Sequence, residues 1–149
     1  MSQGDVTWIV AADATEARVF SERVRAGPVV ELPQLRMVAD PADKLAHSKP
    51  RATVHSRFGP ARHAAGERSP AEVSERLFLQ EVGDALARSY IAGAYQHLVL
   101  MAPPKALGLL KAALPERLVE QLEASDPHER KADTPEEIRW HLREARARS

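Results

Sequence analysis

A chain of 149 residues is the size of one domain, and its 44% hydrophobic and 28% charged residues are ordinary for a soluble globular protein. Lys plus Arg balances Asp plus Glu at 21 each, so any nucleic acid or anionic membrane would have to be held by a local patch. The absence of cysteine excludes disulfides, thiolate catalysis and Cys-type zinc sites.

The start lacks a basic segment, and the apolar run 8–12 is too short for the hydrophobic part of a secretory signal. No stretch approaches the roughly 20 apolar residues of a membrane span. The cytoplasm is the expected compartment, and no membrane insertion is expected.

Residues 6–12 (VTWIVAA) are almost continuously apolar, the pattern of a strand buried on both faces. Asp13-Ala-Thr15 supplies a turn, and 17–22 (ARVFSE) returns as a second strand. After Gly27-Pro28, residues 29–35 read as a third strand. Pro33 has no N–H for a ladder, which places that strand at a sheet edge. Residues 36–68 show no periodicity and read as one long basic loop.

Ser69-Pro70-Ala71-Glu72 is a helix start, with Ser as N-cap, Pro at the first turn and Glu completing a capping box. The helix should run to about Tyr90 and bury Val73, Leu77, Phe78, Val82, Ala85 and Leu86. Residues 97–102 (HLVLMA) form another apolar strand, stopped by Pro103-Pro104. A short helix over 105–114 should turn Leu107, Leu110 and Leu114 inward, and 118–123 should form a weaker strand. After a polar loop over 126–133, Thr134-Pro-Glu-Glu137 opens a last helix with Ile138, Leu142 and Ala145 facing the core. Arg143, Arg146 and Arg148 fall toward its carboxyl end, where the dipole favours cations.

The order βββ-α-β-α-β-α, with right-handed crossovers, implies a single α/β domain over 1–149. Its five-stranded mixed sheet should run 3-2-1-4-5, an antiparallel meander followed by two parallel strands.

Several segments together resemble a known family. These are Thr7-Trp-Ile-Val-Ala-Ala-Asp13 with Ala17-Arg-Val-Phe20, Phe58-Gly-Pro-Ala-Arg-His-Ala64, Leu98 through Gly108, and the Thr-Pro-Glu-Glu-Ile helix start. In order and spacing they are similar to bacterial host-attachment proteins, required for attachment to host cells. That family is related to bacterial proteins resembling the middle domain of archaeal and eukaryotic peptide release factors. The resemblance implies a release-factor-middle-domain-like, ribonuclease-H-like topology. The Gly-Gly-Gln loop of that domain is absent from this chain, so peptide-release chemistry is not carried over.

Candidate sites follow from local chemistry. Lys44, Lys49, Arg51, Arg57 and Arg62, with His47, His55 and His63, occupy a stretch without an acid. Such a stretch is compatible with a solvated loop or with a phosphate- or RNA-binding surface on which Phe58 stacks. Within it, Gly59-Pro60 shapes a turn beside the cation Arg62 and the titratable His63. Asp13, Pro103, Pro104 and Lys105 should meet at the carboxyl edge of the sheet, where α/β ligands tend to bind. A metal nuclease would need further acids around Asp13, from Glu72, Glu75, Glu136 or Glu137, and the fourth strand ends without one. The histidine spacing fits no common zinc pattern.

Trp8 reads as a packing residue. Trp140, off its helix's apolar stripe, either packs across the sheet edge or faces a partner.

The sequence therefore points to a non-enzymatic binding or adaptor domain, with no catalytic set, metal or cofactor expected. Its partner would be an unknown protein. A ribosome- or RNA-associated protein using the basic loop over 44–66 is the main alternative, and a divergent metal-dependent nuclease the second.

Overall fold

The computed structural model of the chain describes residues 5–40 and 69–149. Six strands form one mixed sheet: β1 (Thr7–Ala12), β2 (Glu16–Glu22), β3 (Val29–Glu31), β4 (Met37–Val38), β5 (His97–Met101) and β6 (Leu122–Asp126). The helices are α1 (Pro70–Ile91), α2 (Pro104–Ala113), α3 (Glu116–Glu120) and α4 (Pro135–Arg148). The sheet order is β3-β2-β1-β5-β6, with β4 also paired to β2. β1, β5 and β6 are parallel, whereas β2 runs antiparallel to β1, β3 and β4. The expected 3-2-1-4-5 arrangement is therefore present, with one strand more than expected.

That extra strand comes from Pro33. The expected strand over 29–35 breaks after Glu31, and Pro33–Leu35 forms a 3-10 turn. Pro33 fixes its own φ and offers no N–H, so the chain leaves the ladder and rejoins it at β4. Met37–Val38 consequently belong to the sheet, so the expected long loop does not begin at Arg36. Ala39 is buried, and its N–H donates to the carbonyl of Thr15 at 2.8 Å.

The alternation of β1 places a helical layer on each sheet face. Trp8 and Val10, with Leu98 and Leu100 of β5, face Phe78, Leu79, Val82 and Leu86 of α1 and Leu107 and Leu110 of α2. Ile9 and Ala11, with Val99 and Met101, face Ile138, Leu142 and Ala145 of α4. Trp8 stacks on Tyr95 with ring centroids 4.6 Å apart, which makes it a core residue. The Tyr95 hydroxyl donates to the Leu86 carbonyl at 2.6 Å, so the end of α1 is tied to the start of β5.

Both capping boxes form. Ser69 Oγ accepts from the Glu72 N–H while Glu72 returns to the Ser69 N–H, and Thr134 and Glu137 do the same for α4. Two expectations change. Val73 and Leu77 are exposed rather than buried, because α1 turns Ser74, Glu75, Phe78, Leu79 and Val82 inward. The last strand lies at 122–126 rather than 118–123. Pro115 instead starts the short helix α3, which buries Leu118. No helix among the described residues is long and apolar enough to cross a membrane.

Candidate functional site

The carboxyl ends of the three parallel strands meet at one edge. β1 ends beside Asp13, β5 ends at Met101 before Pro103, and β6 ends at Asp126, which pairs in register with Met101. This is the edge at which the sequence places Asp13, Pro103, Pro104 and Lys105, and the structure brings them there.

Asp13 first acts as a turn residue. Its Oδ1 accepts the backbone N–H groups of Thr15 and Glu16, each at 2.9 Å, closing the β1–β2 hairpin. Its Oδ2 pairs with Lys131 Nζ at 2.7 Å. Burial pushes the Asp13 carboxyl up, but the Lys131 contact and the two backbone N–H groups outweigh it and hold the pKa below the usual aspartate value. The Asp13 contact raises that of Lys131 in return.

Asp126, which the sequence reading leaves in a polar loop, is only 1% exposed. His128 Nδ1 contacts its Oδ1, and Arg130 Nε donates to its Oδ2 at 2.9 Å. Burial raises its pKa, and these two partners lower it further than burial raises it. The net direction is downward.

The segment after β6 is fastened across this edge. Arg18 of β2 grips Glu31 through two bonds of 2.9 and 2.7 Å and donates to the carbonyls of Lys131 and Asp133. Asp133 in turn meets His141 of α4 at 2.8 Å. On the other side, Pro103 caps α2, Pro104 occupies its first turn, and Lys105 reaches Glu72 and Glu75 of α1 at 3.6 and 3.5 Å.

Chemically, the edge is a set of closed ion pairs. No group of three or more His, Cys, Asp or Glu side chains able to hold a metal forms among the described residues. The acids weighed for a nuclease are dispersed: Glu72 and Glu75 lie against Lys105, and Glu137 caps α4. Arg57, Phe58, Gly59, Arg62, His63, Lys44, Lys49 and Arg51 lie outside the described residues. Trp140 is 55% exposed, with the Arg143 guanidinium 5.9 Å from its ring centroid, so it does not pack across the sheet edge.

Asp126, His128, Arg130 and Lys131 match no site motif in the sequence. Only the close spacing of an acid, a His and two cations over 126–131 signals a turn held by its own charges.

No curated protein matches the chain. Among solved structures it is similar to the crystal structure of an archaeal translation termination factor, with 13% identity and a TM-score of 0.49, covering 96% of this chain and 42% of that one. It is also similar to a structure described as an archaeal protein, with 14% identity and a TM-score of 0.45, covering 95% and 41%. The chain thus spans about two-fifths of the length of either. A family described as "Protein required for attachment to host cells" matches over residues 8–142, nearly the whole chain, and the chain belongs to that family.

Proposed function

We propose that the chain serves attachment to host cells as a non-enzymatic binding domain, acting from the cytoplasm on a protein partner. The supporting observation is the state of the carboxyl edge. The Asp13 and Asp126 carboxylates, the acids best placed for chemistry, are both held by turn N–H groups or cations of the same chain. A general base must keep an oxygen available to a substrate proton, and a metal ligand must keep one for the ion. These two carboxylates spend their oxygens on shaping the β1–β2 turn and the segment after β6.

The test is a chain carrying Asp13→Asn and Asp126→Asn, returned to cells that lack the protein. An asparagine oxygen still accepts the Thr15 and Glu16 N–H groups, so the turn survives the change. Circular dichroism of the purified variant establishes that it folds. Attachment to host cells should then match wild type. A folded variant whose attachment falls by about a hundredfold, the scale of a lost general acid or base, would overturn the reading.

A further inference from the structure

The opposite end of the sheet carries a different arrangement of charge. There the β2–β3 turn faces α4 around a cavity of about 140 Å³, lined by Glu22, Arg25, Arg139, Arg143 and Arg146 among others. Arg146 Nη1 and Nη2 bond both oxygens of the buried Glu22 at 2.8 and 2.7 Å, and its Nε reaches Glu123 at 3.0 Å. Arg25 pairs with the same Glu123 at 2.6 Å. The two carboxylates are thereby used up by two of the four guanidinium groups. Arg139 and Arg143 pair with no carboxylate among the described residues, which leaves a surplus of two positive charges.

Two further features mark the cavity as built rather than incidental. Arg139 Nη2 donates to the Ala26 carbonyl at 2.7 Å, while its Nε is buried with no hydrogen-bond partner among the described residues. A buried donor of a charged group left unpaired is costly, and a ligand oxygen is the natural acceptor. Ala26 itself stands at φ 64, in the left-handed region that non-glycine residues seldom occupy. Its N–H donates to Glu22 Oε2 at 2.9 Å and its carbonyl accepts from Arg139, so strain in the turn is tied to the aim of the arginine.

We propose that this cavity binds a single phosphate group, presented by inorganic phosphate or by a soluble phosphomonoester. The cavity is small, with room for one phosphoryl group. The surplus of two charges matches the −1.5 to −2 of such a group at neutral pH. Arg139 and Arg143 supply the planar donor forks that phosphate oxygens favour. Exposed Glu136 and Glu144 on the same helix interrupt any longer row of cations of the kind an RNA backbone calls for. Trp140, exposed and next to Arg143, offers a face for the organic part of an ester. This site is independent of the carboxyl edge and of the adaptor reading.

Isothermal titration of the full chain in sulfate-free buffer tests the assignment, with inorganic phosphate, adenosine 5′-monophosphate and a mixed-sequence RNA as probes. Saturable binding of a phosphate probe with a dissociation constant of about 1 mM or tighter is expected. Arg139→Gln and Arg143→Gln should each weaken it about tenfold. Arg143 is exposed and carries no tertiary bond to the described residues, so its variant keeps the fold.

Tighter binding of the nucleotide, with a change in tryptophan fluorescence, identifies an organic ester as the source. Trp8 is buried in the core, so such a change reports Trp140. Equal affinities identify inorganic phosphate. No saturable binding of either small probe, binding indifferent to both substitutions, or RNA bound in preference to both small probes would overturn the proposal.

Discussion

Arg146→Met isolates the ion pairs that join α4 to the sheet. The guanidinium makes two bonds to Glu22, two to Glu123 and a longer one to Thr7 Oγ1 at 3.4 Å. Methionine is flexible and apolar, so it replaces much of the arginine stem while deleting the charge. Among the described residues Glu22, 1% exposed, then keeps only the Ala26 N–H, and Glu123 keeps Arg25. Breaking a fully buried pair costs about 3–5 kcal/mol. The Arg146 side chain is 14% exposed, and water reaches part of the site, so the expected loss is about 3 kcal/mol.

For a domain of this size that loss lowers the melting temperature by about 6–12 °C. Urea denaturation gives the free energy directly. In the double variant Glu22→Gln/Arg146→Met the uncompensated buried charge is gone, and about 1 kcal/mol or more should return. A single-variant loss below about 1 kcal/mol, with no recovery in the double variant, would show that Glu22 does not depend on Arg146 and refute the argument.

Acid should weaken the fold in a defined window. Arg18 holds Glu31 below its usual pKa, while Asp13, Asp126 and Glu123 are lowered by their partners against the opposing effect of burial. Between the folded and unfolded values the unfolded chain binds more protons, so stability is fully present above about pH 4.5 and is lost as pH falls through the folded values. Urea midpoints at pH 6, 5, 4 and 3 should decline mainly over the last two steps, and a flat profile would contradict the ion-pair assignments. Gly83→Ala is expected to destabilise by about 1–2 kcal/mol despite the better helix propensity of alanine, because an added Cβ would stand 2.9 Å from Ala113 Cβ and 3.0 Å from its carbonyl oxygen. Thermal unfolding checks this, and a rise in melting temperature would mean that α1 and α2 separate freely.

What could be read from the chain depended on whether the cause was local. The two central strands declare themselves because both of their faces are buried, and VTWIVAA and HLVLM are apolar almost throughout. The helix starts at Ser69 and Thr134 are equally local, each complete within four residues. β6 lies further along the chain than its sequence pattern suggests because it is an edge strand of mixed composition whose last residue is an aspartate. Asp126 is buried by virtue of His128 and Arg130, which no window centred on the strand would credit. On α1, apolar residues occur on more than one face, and only packing against the sheet and α2 selects the row containing Leu79 over that containing Val73 and Leu77. Asp13 was legible as a turn residue, but its partner Lys131 is tertiary. The arginine cavity was hidden for the same reason. The reading of Arg146 as a cation at the helix end captures its position and misses Glu22 and Glu123, which come from other strands.

The two ends of the sheet therefore divide the work in a way that the general rule for α/β folds does not anticipate. That rule places ligands outside the carboxyl ends of parallel strands, where loops leave a crevice. Here the segment after β6 lies over that end, fixed by Arg18 to the carbonyls of Lys131 and Asp133 and by Lys131 to Asp13. Its charges are matched by partners from the same chain. At the other end, α4 brings more guanidinium groups to the β2–β3 turn than there are carboxylates among the described residues to meet them, and one donor is buried with no acceptor among those residues. Unsatisfied charge attracts a ligand, whereas satisfied charge holds a fold. By that criterion the ion pairs of the carboxyl edge hold the fold, and the proposed ligand belongs on the face of α4 bearing Arg139 and Arg143.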